Sequence, residues 1–109
     1  MKLLPERRAI TSFGDGGFRF GDHSHRGALL VLPAGMQAWD GKDLSEVIAV
    51  KDDLDFFLLG TGASLRRIPL PPQLQSLQCD CMTTPAAVHS YNYMLAEGRR
   101  VAAAFIAVP

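Results

Sequence analysis

The chain lacks a surplus of either charge, since eleven Lys and Arg balance eleven Asp and Glu. No global field therefore draws it toward nucleic acid or anionic lipid. Arg66-Arg67 and Arg99-Arg100 are the candidates for a local basic patch. Cysteine is scarce: Cys79 and Cys81 stand alone, with no Cys-x-x-Cys. Two thiols without an export signal favour a reducing, cytoplasmic compartment, and a Cys-x-Cys bridge would be strained, which argues against a redox pair. No apolar run reaches the length of a membrane span, and Met1 to Arg8 is too charged for a signal peptide, so no membrane insertion is expected. Internal repeats, low-complexity tracts and dividing linkers are also missing, which predicts a single domain over 1–109. What the chain does have is 48% apolar and 20% charged residues, ordinary for a globular protein and enough for a core.

Strand and helix signals divide the chain into two halves. In the first, Ala9 to Phe13 and Phe18 to Phe20 read as short strands joined by Gly14-Asp15-Gly16-Gly17. That joint is hairpin chemistry, because Asp-Gly and Gly-Gly accept positive φ. Ala28 to Leu32, stopped by Pro33, reads as a buried strand, and Met36 to Trp39 as a brief one. Asp43 or Ser45 can cap a short helix over Leu44 to Val50. In the second half, Leu54 to Leu59 predicts a buried strand ended by Gly60-Thr61-Gly62, and Pro71 to Leu77 a short helix. Cys79 to Met82 predicts another strand.

The last quarter is the most informative. Thr84 reads as a helix N-cap and Pro85 as the first helical residue. Gly98 supplies the stop, with Arg99 and Arg100 just beyond, where cations favour the exposed carbonyls. Val101 to Val108 then reads as a buried strand. On the Pro85 to Glu97 helix, Ala87, Tyr91, Met94 and Leu95 share the face expected in the core, while His89, Asn92 and Ala96 share another. Hairpins first and strand–helix units later predict an α/β or mixed α+β domain in three layers: a mixed sheet with N-terminal hairpin strands, and helices packed over it.

Candidate chemistry is thin. Gly60-Thr61-Gly62 follows a buried strand, where α/β sheets place ligand loops, and successive amides there can nest an anion with help from Arg66 and Arg67. It is not a P-loop, since no lysine follows the second glycine, and a tight turn needing glycine explains it as well. His23-Ser24-His25 and Cys79-Asp80-Cys81 can be assembled on paper into a Cys₂His₂ site. Neither spacing suits structural zinc; the histidines fall in a polar loop, and the cysteines fall where a strand should face the core. A triad from Ser90 or Ser64 with His89 fails because Ser90 and His89 are about a hundred degrees apart on the helix and no Gly-x-Ser-x-Gly elbow is present.

A polar set is left over. Thr84 is explained as a cap and Arg99 by its place at the helix end. Asn92 is a poor residue for mid-helix, and Glu97 sits at the wrong end of the helix dipole. Residues that break local rules are compensated elsewhere. Asn92, Glu97 and Arg99 are therefore expected to cluster near Gly60-Thr61-Gly62, as a hydrogen-bond network or as a ligand site.

Gly16-Gly17-Phe18, Pro33, Trp39 and Gly60-Thr61-Gly62, followed by Met82, Thr84, Ala86-Ala87, Tyr91-Asn92, Glu97-Gly98-Arg99 and Val101-Ala102-Ala103-Ala104, together carry a resemblance that spans nearly the whole chain. The sequence resembles the small domain family that includes mitochondrial complex I assembly factor 3 and the adipogenesis-associated domain protein. Many relatives carry Cys and Arg where this chain has Val88 and His89, and Thr at Ser90, so a thiol at 88 or a cation at 89 is not essential here. The resemblance implies a three-layer fold with a mixed sheet and no accepted enzymatic activity. The expected function is thus a cytosolic, non-catalytic protein-binding or assembly-support domain, a monomer or weak homodimer, with no cofactor, metal or nucleic acid. The alternative is a small-ligand or anion-binding protein, with weak enzymatic activity at most, that uses Gly60, Thr61, Gly62, Thr84, Asn92, Glu97 and Arg99. Self-association is a third reading, favoured if the outermost strands are left unpaired.

Overall fold

Three short runs, Leu29–Leu32, Phe56–Gly60 and Val101–Phe105, are buried at every position. An unbroken apolar run suits a strand that is covered on both faces, and these three form the middle of a six-stranded sheet in the computed structural model, which describes residues 2–109. In chain order the elements are β1 (Lys2–Leu4), β2 (Ser12–Gly14), β3 (Gly17–Phe20), β4 (His23–Arg26), β5 (Leu29–Leu32), β6 (Gly35–Ala38), α1 (Ser45–Ala49), β7 (Phe56–Gly60), β8 (Cys79–Met82), α2 (Thr84–Ala96) and β9 (Val101–Phe105), with 3₁₀ turns at Lys51–Asp53 and Pro72–Leu74.

The large sheet runs β1-β6-β5-β9-β7-β8, and β2-β3-β4 form a second, three-stranded sheet. It is mixed: β7 pairs in parallel with β8 and β9, while β5 pairs antiparallel with β9 and β6. Alternation along each strand sends side chains to two cores. On one face Leu29, Val31, Phe56, Leu58, Val101, Ala103 and Phe105 meet Ala87, Val88 and Tyr91 of α2 and Phe18 and Phe20 of the small sheet. On the other, Leu30, Leu32, Phe57, Leu59, Ala102 and Ala104 meet Val47 of α1, Trp39, Leu44 and Leu74. Phe105 is the hinge of the first core, with Phe18 and the edge of Tyr91 each 5.8 Å from it between ring centres. Burying one such ring contributes roughly 1.5–3 kcal/mol. The architecture is the three-layer mixed fold expected from the sequence.

Local departures have physical reasons. β1 was not foreseen; it pairs with β6 in broken register. His23–Arg26 is a strand, not a loop, because β3 supplies a full ladder to a polar edge. The first strand begins at Ser12, since the backbone of Ile10 is taken by Asn92. Pro71 to Leu77 shortens to one 3₁₀ turn, and the short helix α1 begins at Ser45, whose amide donates to the Asp43 carboxylate at 2.9 Å. Cys81 is exposed and Cys79 half-buried against the second core, so the cysteines are less enclosed than a core strand implies. Gly98 (φ +74) does stop α2: the Gly98 amide donates to Leu95 and the Arg99 amide to Met94, a Schellman closure.

Candidate functional site

The three parallel strands β7, β8 and β9 end at the same edge, and the residues just past them converge there. Thr84 is the node. It is fully buried, and its hydroxyl accepts from the Gly62 amide at 2.9 Å and donates to the Ile106 carbonyl at 2.6 Å. Its own amide donates to the Gly62 carbonyl at 2.9 Å. Thr84 therefore does not cap α2, as its sequence position suggests. The residue at the cap is Thr83, whose side chain makes no capping bond. Tertiary partners outbid the local one, because the ends of β7 and β9 present buried groups that only this hydroxyl reaches.

The glycines serve the same junction. A Cβ on Gly60 would lie 2.8 Å from the Thr84 hydroxyl and 3.1 Å from both Thr84 Cα and a Phe105 ring carbon, so the bare backbone lets α2 approach. Gly62 has φ +99, a conformation that L side chains rarely adopt. Thr61 is buried; its amide donates to the Met82 carbonyl and its hydroxyl to Ser64. Arg66 folds back on the same residue, its Nε donating to the Thr61 carbonyl at 3.3 Å.

These bonds engage the central donors of the loop. The Thr61 and Gly62 amides are both engaged. At the start of α2, Thr84 is engaged, Pro85 has no N–H, and Ala87 donates to the Thr83 carbonyl. The Gly-Thr-Gly loop is a packing device in which chain-end groups answer one another.

The other predicted residues go elsewhere. Asn92 lies eight residues along α2 from Thr84, about 12 Å at helical rise. Its side-chain amide donates to the Ile10 carbonyl and its oxygen accepts from the Ile10 amide, both at 2.8 Å. Next to it the Tyr91 hydroxyl donates to the Arg8 carbonyl at 2.7 Å, and burial pushes that phenol far above its ordinary pKa. Glu97 and Arg99 stand exposed past the helix, and neither joins an ion pair among the described residues. Arg100 instead pairs with Asp55 at 3.0 Å, and that guanidinium holds the Asp55 carboxyl below its usual range. The expected cluster thus divides into a junction (Gly60, Gly62, Thr84), a helix-side clamp (Asn92) and a solvated end (Glu97, Arg99).

The paper zinc set divides too. His25 Nε2 lies 3.0 Å from the Ala28 carbonyl and His23 stacks on Phe20, while both cysteines are on β8 of the other sheet. Cys79 is held as a thiol by burial, which raises its pKa. Sequence reasoning missed the Ile106 carbonyl, which no side-chain pattern reveals. It also missed an apolar recess of about 410 Å³ below the loop, walled by Trp39, Leu44, Leu59, Ile68, Leu70 and Pro71 with Lys42 at its mouth. The signal for that was present in Ile68-Pro69-Leu70-Pro71-Pro72, an apolar stretch too proline-rich to be a helix interior.

Residues 10–106 match the family described as protein of unknown function (DUF498/DUF598). The chain belongs to this family. An uncharacterized protein of Rhodobacter capsulatus is 36% identical over 105 residues, covering 92% of this chain and 85% of that one. The crystal structure of a Bartonella henselae protein described as an outer membrane protein superposes with a TM-score of 0.92 at 38% identity, over 98% of this chain and all of the other. The Rpa2829 protein of Rhodopseudomonas palustris, solved by NMR, gives 0.78 at 37% identity over 100% of this chain and 90% of its own. The DUF498/DUF598 assignment agrees with the resemblance carried by the glycine loop and the closing helix–strand run. Among the described residues no helix is long and apolar enough to cross a membrane.

Proposed function

We propose that this DUF498/DUF598 member is a non-catalytic domain that works in the cytoplasm through protein contacts, in binding or in support of assembly. The observation that carries this reading is the apolar recess beside Trp39, which opens on the surface while the neighbouring loop spends its polar groups internally. Apolar concavities with a polar rim suit a partner's side chains better than they suit catalysis. We place Leu65, 67% exposed and just before the Ile68 wall of the recess in sequence, on the same contact surface. Two free thiols fit a reducing compartment. The anion-binding alternative is not favoured, because the loop amides it needs are engaged.

The test is affinity capture from the native cell with tagged wild type, Leu65→Ser and Tyr93→Ser, each confirmed folded. Tyr93 is 62% exposed on α2, across the large sheet from the recess, and serves as the control. A stoichiometric protein recovered with wild type and Tyr93→Ser but lost with Leu65→Ser supports the reading. Recovery of the wild-type chain alone overturns it.

A further inference from the structure

The small sheet carries a feature that the strand-end junction does not explain. In its register Ser12 stands opposite Arg19 and Arg19 opposite Ser24, while Gly14 stands opposite Gly17 and Gly17 opposite Arg26. Residues two apart on a strand share a face, so Ser12, Arg19, Ser24 and Arg26 project together from the outer side. Phe18 and Phe20 point inward to the core. The glycines contribute no side chains, and the face is left concave, with a volume of about 290 Å³.

The charged side chains projecting from the sheet face into that concavity are both cationic, with the Asp15 carboxylate on its rim as the one opposing charge among its lining residues. Arg19 and Arg26 are diagonal neighbours, about 7–8 Å apart on the ladder. Like charges so placed repel, and among the described residues neither arginine has a carboxylate within ion-pair distance. Asp15 lies on the rim, yet what it offers Arg26 is its backbone carbonyl, which accepts from Nη1 at 3.1 Å. That bond orients Arg26 and leaves its other N–H groups free. Arg19 makes no side-chain hydrogen bond among the described residues, and both serine hydroxyls are exposed beside it. Two guanidinium forks and two hydroxyls converging on a hollow match the charge and donor demand of a tetrahedral dianion.

We propose that the outer face of the β2-β3-β4 sheet binds a phosphate monoester, with Arg19 and Arg26 clamping the phosphoryl oxygens and Ser12 and Ser24 adding hydroxyl donors. The size of the hollow suits a phosphoryl group with a small appendage. This site is independent of the recess beside Trp39 and lies on the opposite side of the large sheet.

The test is a titration of the ¹⁵N-labelled chain with sodium phosphate, against sodium chloride at equal ionic strength, followed by amide shifts. Expected are saturable shifts at Ser12, Gly17, Arg19, Ser24 and Arg26 with phosphate only. Arg19→Gln and Arg26→Gln should each weaken binding by about tenfold or more, and Arg99→Gln should leave it unchanged. Arg19→Lys keeps the charge and loses the fork, so it should fall between. Vesicles of phosphatidylcholine with and without phosphatidic acid identify the source: arginine-dependent binding to the acidic vesicles assigns the monoester to a lipid headgroup, and its absence assigns it to a free metabolite. Non-saturating shifts, equal shifts with chloride, wild-type affinity in both arginine-to-glutamine variants, or an equal loss in Arg99→Gln would each overturn the proposal.

Discussion

At the N-terminal end of α2, Thr84 is enclosed and its hydroxyl ties the amide after β7 to the carbonyl after β9. At the C-terminal end, Glu97 and Arg99 stand in solvent, and the helix is closed by backbone bonds from Gly98 and Arg99 alone. Midway, Asn92 holds the backbone of Ile10 from a half-buried position. All of these residues look equally polar in the sequence. The helix shows that polarity is spent in proportion to enclosure. Where water is excluded, each donor and acceptor must find a named partner, and where water is present none is needed.

That gradient predicts a ranking of effects. Thr84→Val keeps the shape but orphans the buried Gly62 amide and removes the donor to Ile106. It should lower stability by about 2–5 kcal/mol, since each buried unpaired group costs about 1–3, read as the midpoint of denaturant unfolding. A loss near zero would mean that the junction is not the tie it looks like. Asn92→Ala strips two hydrogen bonds from Ile10 at a site that water partly reaches, and should cost about 1–2 kcal/mol. Faster amide exchange at Ile10 would show that the loss is local to the clamp.

The ion pair past the helix sharpens the comparison through pH. The Asp55 carboxyl is held below its usual range, chiefly by its hydrogen bond from Arg100. A carboxyl that is depressed in the folded state adds stability above its unfolded pKa, near pH 4, and loses it as pH falls through the folded value. Asp55→Asn should therefore lower stability modestly at neutral pH, converge with wild type as pH falls through the folded value, and so flatten the acid side of the stability profile. An equal effect at pH 7 and at pH 3 would break the assignment. The smallest effect belongs to Glu97→Gln and Arg99→Gln, each expected within about 0.5 kcal/mol of wild type. If either rivals Thr84→Val, the gradient along α2 fails.

The legible parts of the fold were those set by local apolar runs and glycine stops. Leu29–Leu32, Phe56–Gly60 and Val101–Phe105 were readable because continuous burial needs an unbroken apolar stretch, and Gly98 because only a positive φ ends the helix there. β4 was not readable, since His-Ser-His-Arg has no apolar alternation and owes its conformation to the ladder on β3. Asn92 was rightly marked as breaking helix preference, but its compensation came from Ile10, far away in sequence, and not from the glycine loop. Thr84 was misplaced for the opposite reason: Thr-Pro is a sound local start signal, and the stronger claim of Gly62 and Ile106 leaves no trace nearby. The outer face of the small sheet was hidden because Arg19 and Arg26 become neighbours only once β3 and β4 pair.

The long-range bonds at the start of the chain have a kinetic consequence. Arg7 reaches the Val101 carbonyl, Tyr91 the Arg8 carbonyl, Asn92 both backbone groups of Ile10, and the Gly16 amide the Val108 carbonyl. Arg7, Arg8 and Ile10 are thus fastened by residues 91–101, and the turn at Gly16 by Val108. On the ribosome, Arg7, Arg8 and Ile10 must wait undocked until residues 91–101 have been made, and this loop closure comes late and slowly. Loosening α2 at Asn92 should release Ile10 first, so protease nicking near Ile10 would report damage far along the chain, whereas losing Val108 would cost the opening stretch only its bond at Gly16.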